Sequence, residues 1–169
     1  IRPLRWLTFD LSYTYVKPRY RNFREEVTRG TFVDVSSTPF PFTPRHSGNI
    51  RTTVDAPLAG DLGALRFSGV ASWQDDVWIN SLHTQRIIDQ HPASILPLLK
   101  QKDYWLVDLS AGWDDIAGSG FSLSAYVRNL FDKEYKVGGI QLYTGASGFI
   151  AAAYGVPRTA GVQLRYRFR

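Results

Sequence analysis

The chain has 169 residues, enough for one ordinary domain, and contains neither cysteine nor methionine, which excludes a disulfide framework, a thiol nucleophile and thiolate metal ligation. Its net charge of +5 is spread over strands and loops rather than gathered in one run, which argues against nucleic acid as a partner. An aromatic content of 14%, with five Trp and nine Tyr, is high enough to require a structural reason.

Residues 6–16 (WLTFDLSYTYV) place Leu7, Phe9, Leu11, Tyr13 and Tyr15 on one face and Thr8, Asp10, Ser12 and Thr14 on the other. Such period-2 alternation predicts a strand with one apolar and one polar side. Residues 17–44 read as a long irregular connection, broken by Pro18, Pro39, Pro41 and Pro44 and carrying Lys17, Arg19, Arg21, Arg24 and Arg29 against Glu25 and Glu26. A basic loop of this kind attracts an anionic ligand or lipopolysaccharide phosphates in one reading and is simply solvated in the other, preferred one. A second, weaker strand follows at 46–56, with Gly48, Ile50, Thr52, Val54 and Ala56 on its less polar face. Gly60, Asp61 and Gly63 supply a short turn at 57–63. The third strand, 64–73, sets Leu65, Phe67, Ala71 and Trp73 against Arg66 and Ser68, with Val70 spoiling the polar face.

Residues 74–102 form a second long connection, in which Ile87, Ile88 and the apolar run 95–99 suggest a short helix or an inward fold. The fourth strand, 104–113, opposes Trp105, Val107, Leu109, Ala111 and Trp113 to Tyr104, Leu106, Asp108, Ser110 and Gly112. A tight turn at 114–120 leads to the fifth, where Phe121, Leu123, Ala125 and Val127 alternate with Ser122, Ser124, Tyr126 and Arg128 until Leu130 and Phe131 fall side by side. That break predicts a bulge or the departure of the strand from its sheet. Residues 136–156 read as a third long connection, rich in Gly and small residues, and 158–168 as a sixth strand with Ala160, Val162, Leu164, Tyr166 and Phe168 on one face.

The connections alternate long and short, so antiparallel strands would gather tight turns at one end and long loops at the other. Bacterial outer-membrane barrels have this asymmetry. No segment offers the ~20 apolar residues of a membrane-spanning helix. Residues 1–10 lack the apolar stretch of a signal peptide, and Ile1 in first place suggests a processed or truncated chain. Trp105 and Trp113 share a face eight positions apart, roughly 27 Å along a strand. At a tilt of about 40° this becomes roughly 21 Å along the membrane normal, near the ~25 Å apolar band that aromatic girdles flank. Tyr166 and Phe168 would form the girdle at the short-turn end, and Trp73 at the long-loop end. The competing reading is a β-sandwich with the indoles in its core; against it, sandwich strands average about 5–6 residues and these run nearer 10.

Three stretches then carry a family resemblance. Residues 127–135 (VRNLFDKEY) resemble the signature of TonB-dependent outer-membrane receptors, with Asn129, Leu130, Phe131 and Asp132 closed by Tyr135. Residues 157–168 resemble that family's last strand, starting at Pro157 and Arg158 and ending on aromatic Phe168; Arg169 beyond it departs from the pattern. Residues 104–112 (YWLVDLSAG) resemble the family's pattern of a tyrosine and then a strand with an aspartate near the barrel's end, and 43–50 (TPRHSGNI) fit the proline-basic start of an earlier strand. The resemblance implies an all-β fold: about six strands of a larger antiparallel up-and-down transmembrane barrel. Residues 1–169 would form its C-terminal part, without the plug domain and earlier strands.

It also implies a non-enzymatic role, the energy-coupled uptake of a scarce nutrient, foremost a ferric siderophore, across the bacterial outer membrane. The implied partners are outer-membrane lipid and lipopolysaccharide, the remaining strands and plug, the inner-membrane TonB energy complex and the nutrient. The alternative is a non-transporting barrel with a structural or adhesive role; a soluble carbohydrate-binding sandwich stands third. Lumen-facing Tyr104, Tyr126 and Arg128, near the long-loop end, are the candidate ligand contacts: a phenol has an aromatic face with a hydroxyl, and a guanidinium a fixed fork of donors. Packing against a plug explains them equally well. No catalytic residue, cofactor or metal site is expected, since His46, His83 and His91 are scattered and Asp75-Asp76 and Asp114-Asp115 sit at strand ends.

Overall fold

The computed structural model describes residues 2–79, 96–141 and 149–168. Six strands build one antiparallel sheet in the order β1 (Leu7–Tyr15), β4 (His46–Pro57), β5 (Ala64–Gln74), β8 (Tyr104–Asp114), β9 (Phe121–Arg128) and β12 (Thr159–Tyr166). Each neighbours the next in chain order, so the sheet is an up-and-down meander. Three further strand pairs stand at the long-loop end: β2 (Arg24–Thr28) with β3 (Thr31–Asp34), β6 (Val77–Trp78) with β7 (Lys100–Gln101), and β10 (Lys136–Gln141) with β11 (Ile150–Tyr154). Among the described residues no helix is long and apolar enough to cross a membrane; the sheet strands are the elements of crossing length.

The alternation read along each strand aligns across all six. One ladder row runs Phe9–Thr52–Gly69–Leu109–Val127–Ala160, the next Ile50–Ala71–Val107, another Val54–Phe67–Ala111–Ala125–Val162. The interleaved rows are polar, such as Thr8–Thr53–Ser68–Ser110–Tyr126–Gly161. A slip of one residue in any pair would send that strand's apolar set to the wrong side, so the register and the sequence pattern support each other.

Among the described residues nothing covers the apolar face. Leu11 and Val162 are 73% exposed and Leu164 65%, while the buried hydrophobic residues among those described are Val77, Ile79 and Leu99, none of them in the sheet. A sandwich would bury these side chains against a second layer; here they meet a solvent that must itself be apolar. Aromatic rings mark both edges of the face. Trp73 and Trp105, directly paired, have ring centroids 6.2 Å apart at the long-loop end, beside Tyr13, Tyr15 and His46. Phe121, Tyr166 and Phe168 cluster at the short-turn end, with centroids 4.6 and 4.8 Å apart. Trp113 joins that end and donates from Nε1 to the Leu62 carbonyl at 2.8 Å.

The two short turns are tightly made. Leu58 N–H donates to Gly63 O at 2.9 Å, and Gly63, at φ +86°, lies so close to the Asp114 and Asp115 carbonyls that any side chain would collide. In the other, Asp115 Oδ1 accepts from Gly120 N–H at 3.0 Å across a 3-10 turn, Ile116–Gly118.

The long connections differ from their sequence reading. Residues 17–44 are not irregular throughout, because β2 and β3 form a hairpin turning at Gly30, φ +81°. Residues 136–156 contain the β10–β11 ladder, whose Gly and Ala residues carry no alternation to reveal it. The inward fold expected in the second connection is found at Leu99, 1% exposed against Trp78 and Ile150, after a 3-10 turn at Leu96–Leu98. Ile87, Ile88, Ile95, His83 and His91 lie outside the described residues.

β1 and β12 each have one strand neighbour, which leaves a row of unpaired backbone groups on both edges. In hydrocarbon each such group costs several kcal/mol. Residues 1–169 produced alone are therefore expected to aggregate or to stay unfolded in detergent; a heat-modifiable monomer on gel electrophoresis would contradict this.

Candidate functional site

The polar face changes character with depth from the long-loop end. The first rows are neutral: a depression of about 250 Å³ is lined by Ser12, Thr14, Ser47, Asn49, Gln74 and Tyr104, with Asn49 Nδ2 donating to Ser12 Oγ at 2.7 Å. Below them the row Arg51–Val70–Asp108 brings charge, and Arg51, Asp108, Tyr126 and Arg128 line a second depression of about 340 Å³ with Ser110 and Ser124. Nearer the short turns Arg66 Nε donates to Asp55 Oδ1 at 2.6 Å, an exposed ion pair.

Tyr126 and Arg128 come together. The Arg128 guanidinium carbon stands 5.4 Å from the Tyr126 ring centroid, a cation–π distance. The ring in turn lies across Gly161, where even a Cβ would come within 2.8 Å of it. A glycine opposite an aromatic residue lets the ring lie flat on the neighbouring strand, which fixes its direction. Tyr104 is elsewhere. It is six residues from Ser110, which pairs with Tyr126, roughly 20 Å along the strand. Its ring stacks on Tyr135 with centroids 4.8 Å apart. The candidate contacts thus divide into two places.

Arg51 was not singled out from the sequence, because one arginine in an alternating strand carries no local signal. Only the register puts it between Asp10 and Val70, in one row with Asp108 a strand further on. Among the described residues Arg51 and Arg128 form no ion pair, and the Asp108 carboxylate accepts Asn129 N–H at 2.8 Å. The patch therefore presents two arginines beside an aromatic face, with Asp10 directly opposite Arg51 in the ladder and no ion pair to either guanidinium among the described residues.

The Asn129–Asp132 stretch is a corner. Asn129 is 5% exposed at φ +49°; its Nδ2 donates to the carbonyls of Lys133 (2.9 Å) and Val156 (3.1 Å), and its Oδ1 accepts from Lys133 N–H at 2.8 Å. Leu130 N–H donates to Val107 O at 2.8 Å, holding the corner to β8. Asp132, also left-handed at φ +52°, accepts Arg158 N–H at 2.8 Å, while Phe131 is 71% exposed. Tyr135 accepts Gly155 N–H at its carbonyl and lies directly against Gly155, just before Pro157. These residues bind the end of β9 to the start of β12. Outside the sheet, Lys136 Nζ donates to the carbonyls of Pro97, Leu98 and Lys100 at 2.9–3.2 Å, clipping two loops together, and burial lowers its pKa.

The family profile described as TonB dependent receptor-like, beta-barrel matches residues 3–130. The chain belongs to that family. TonB-dependent receptors are transport receptors rather than enzymes, and this one is an outer-membrane barrel segment. The chain is 33% identical over 109 residues to the ferripyoverdine receptor of Pseudomonas aeruginosa, an alignment covering 64% of the chain and 11% of that receptor. It superposes on the crystal structure of the ferric yersiniabactin uptake receptor FyuA from Yersinia pestis with a TM-score of 0.65 and 22% identity, over 99% of the chain and 22% of the receptor, a likeness of fold. On the P. aeruginosa ferripyoverdine receptor bound to ferripyoverdine the TM-score is 0.56 at 25% identity, covering 98% of the chain and 18% of the receptor. The chain therefore spans a fraction of its relatives' length. In this family long loops face the exterior and the polar side of the strands faces the lumen.

Proposed function

We propose that residues 1–169 are the C-terminal part of the barrel of a receptor that takes up a ferric siderophore, with a plug filling the lumen and the inner-membrane TonB complex supplying the energy. The supporting observation is the Arg51–Tyr126–Arg128 patch, open to the lumen beneath a neutral polar entrance. Ferric siderophores carry carboxylate, hydroxamate or catecholate oxygens on a rigid, often anionic shell, and guanidinium forks with a phenol face suit that chemistry. The 33% identity to a ferripyoverdine receptor favours the same class. The resemblance of residues 157–168 to the family's last strand, from Pro157 and Arg158 to Phe168, favours the C-terminal assignment.

The test uses the full-length receptor in its native host. A deletion strain is fed single sources of iron, haem, cobalamin or sugar, and uptake of the rescuing nutrient is measured. Growth is expected to fail on ferric siderophore alone. A charged hydrogen bond is worth about 1.5–3 kcal/mol, so Arg128→Ala is expected to weaken ferric-siderophore binding roughly 10- to 150-fold while leaving barrel assembly intact. Failure on sugar or cobalamin instead of iron would reject the siderophore class.

A further inference from the structure

We propose that the three long connections are built at their bases as one body, with Lys136 as the residue that couples the third to the second, so that they shift together and not one by one. The inference holds whatever nutrient the receptor carries.

The coupling is an ammonium group seated in a cup of carbonyls. Lys136 Nζ donates to Pro97 O at 2.9 Å and to Leu98 O and Lys100 O at 3.2 Å each. The 3-10 turn Leu96–Leu98 ends there, and carbonyls at a helix end lack partners within the helix. An ammonium has three donors and no acceptor, so three carbonyls match it. The same residue bonds through its backbone. Lys136 N–H donates to Gln101 Oε1 at 2.6 Å, and Gln101, 7% exposed, donates from Nε2 to the Lys102 carbonyl at 2.7 Å.

Apolar packing joins the same segments. The buried hydrophobic residues among those described, Val77, Ile79 and Leu99, all belong to the second connection. Leu99 packs on Trp78 and on Ile150, which comes from the third. Gly139 on β10 lies so near Ile79 that an added Cβ would come within 2.6 Å of Ile79 Cδ1. Ile79 N–H in turn donates to Leu99 O at 2.9 Å. The first connection is tied in at Trp78, whose carbonyl accepts Phe42 N–H at 2.9 Å and which Pro41 meets in a parallel bridge. Lys100 adds a charge on the same ring, its Nζ 5.5 Å from the Trp78 centroid and paired with Asp76.

Loops that each packed on the sheet alone would open separately. These three share one small core, and a packed core passes a displacement on to its neighbours. Proteins open in contiguous cooperative units, and a shared core makes one unit of segments far apart in sequence. The unit also reaches the lumen. Tyr135, next to Lys136, stacks on Tyr104, which lines the neutral depression at the entrance. A shift of the body therefore moves the partner of a ring at the mouth.

The experiment is amide hydrogen exchange of the full-length receptor in mild detergent, with one substitution in each of two connections. Losing a single charged hydrogen bond corresponds to about a 10-fold change in an opening equilibrium. Lys136→Met, in the third connection, is expected to speed exchange at least ten-fold in 77–79 and 98–101 of the second as well as in 136–141 and 150–154. Leu99→Ala, in the second, is expected to speed the same set, including 136–141 and the Phe42 amide of the first. The amides of β8 and β9 and the heat-modifiability of the barrel are expected to stay unchanged. Gly139→Val replaces Lys136→Met should the latter fail to assemble. Acceleration confined to the connection that carries the substitution, or no acceleration at all, overturns the proposal.

Discussion

Asn129→Ala is expected to destabilise the assembled barrel by about 3–5 kcal/mol, more than any other single truncation in the sheet. Two costs combine. The Asn129 side chain satisfies Lys133 N–H and the carbonyls of Lys133 and Val156 in a site only 5% exposed. Each buried group left unpaired costs about 1–3 kcal/mol, less where water enters. The backbone at φ +49° adds roughly 1–2 kcal/mol for alanine, whereas asparagine visits this region readily. Asn129→Asp keeps the acceptor and the tolerance of positive φ but loses both Nδ2 bonds, so about half the loss is expected. Asn129→Gly should fall between the two, relieving strain without restoring any bond. The denaturant midpoint of the refolded full-length barrel measures all three, and heat-modifiable material in membranes gives an independent reading. An alanine variant within 1 kcal/mol of the parent would refute the corner's role.

Leu109→Arg and Ser110→Arg are expected to differ by about 1–4 kcal/mol although the two positions are adjacent. Leu109 lies midway between Trp105 and Trp113 on the apolar face. A charge at the bilayer midplane costs about 2–4 kcal/mol in such barrels. Ser110 belongs to the polar row with Ser68 and Tyr126, where a long cation reaches water in the lumen, and the expected cost is under about 1 kcal/mol. Both variants are measured in lipid vesicles as unfolding free energies of the whole barrel. Equal losses would mean that the two faces meet similar surroundings, and the membrane orientation would be lost.

The difference between these neighbours was legible in the alternation of 104–113, and so was the fold class. A strand's side-chain direction is set by its own backbone, residue by residue, so Trp105, Val107 and Leu109 share a face whatever the strand pairs with. Alternating loop lengths carried the topology for the same local reason. The hairpins β2–β3 and β10–β11 escaped notice because they stand in mixed surroundings with no single apolar side, and period 2 is a record of burial asymmetry. The signature at 129–132 was recognisable as a break, but its purpose was not. Asn129 serves partners at Lys133 and at Val156, 27 positions away, and only the packed corner brings them together.

The chain alone thus determined six two-faced strands, their order and the ends at which turns and loops gather, because each follows from steric rules acting within a few residues. Tertiary structure decided which polar residues become neighbours. Arg51 meets Asp10 and Tyr126 meets Gly161 through registers set across strands, while Tyr104 is carried away to Tyr135. Such meetings depend on ladder offsets between distant segments, and no local pattern records an offset.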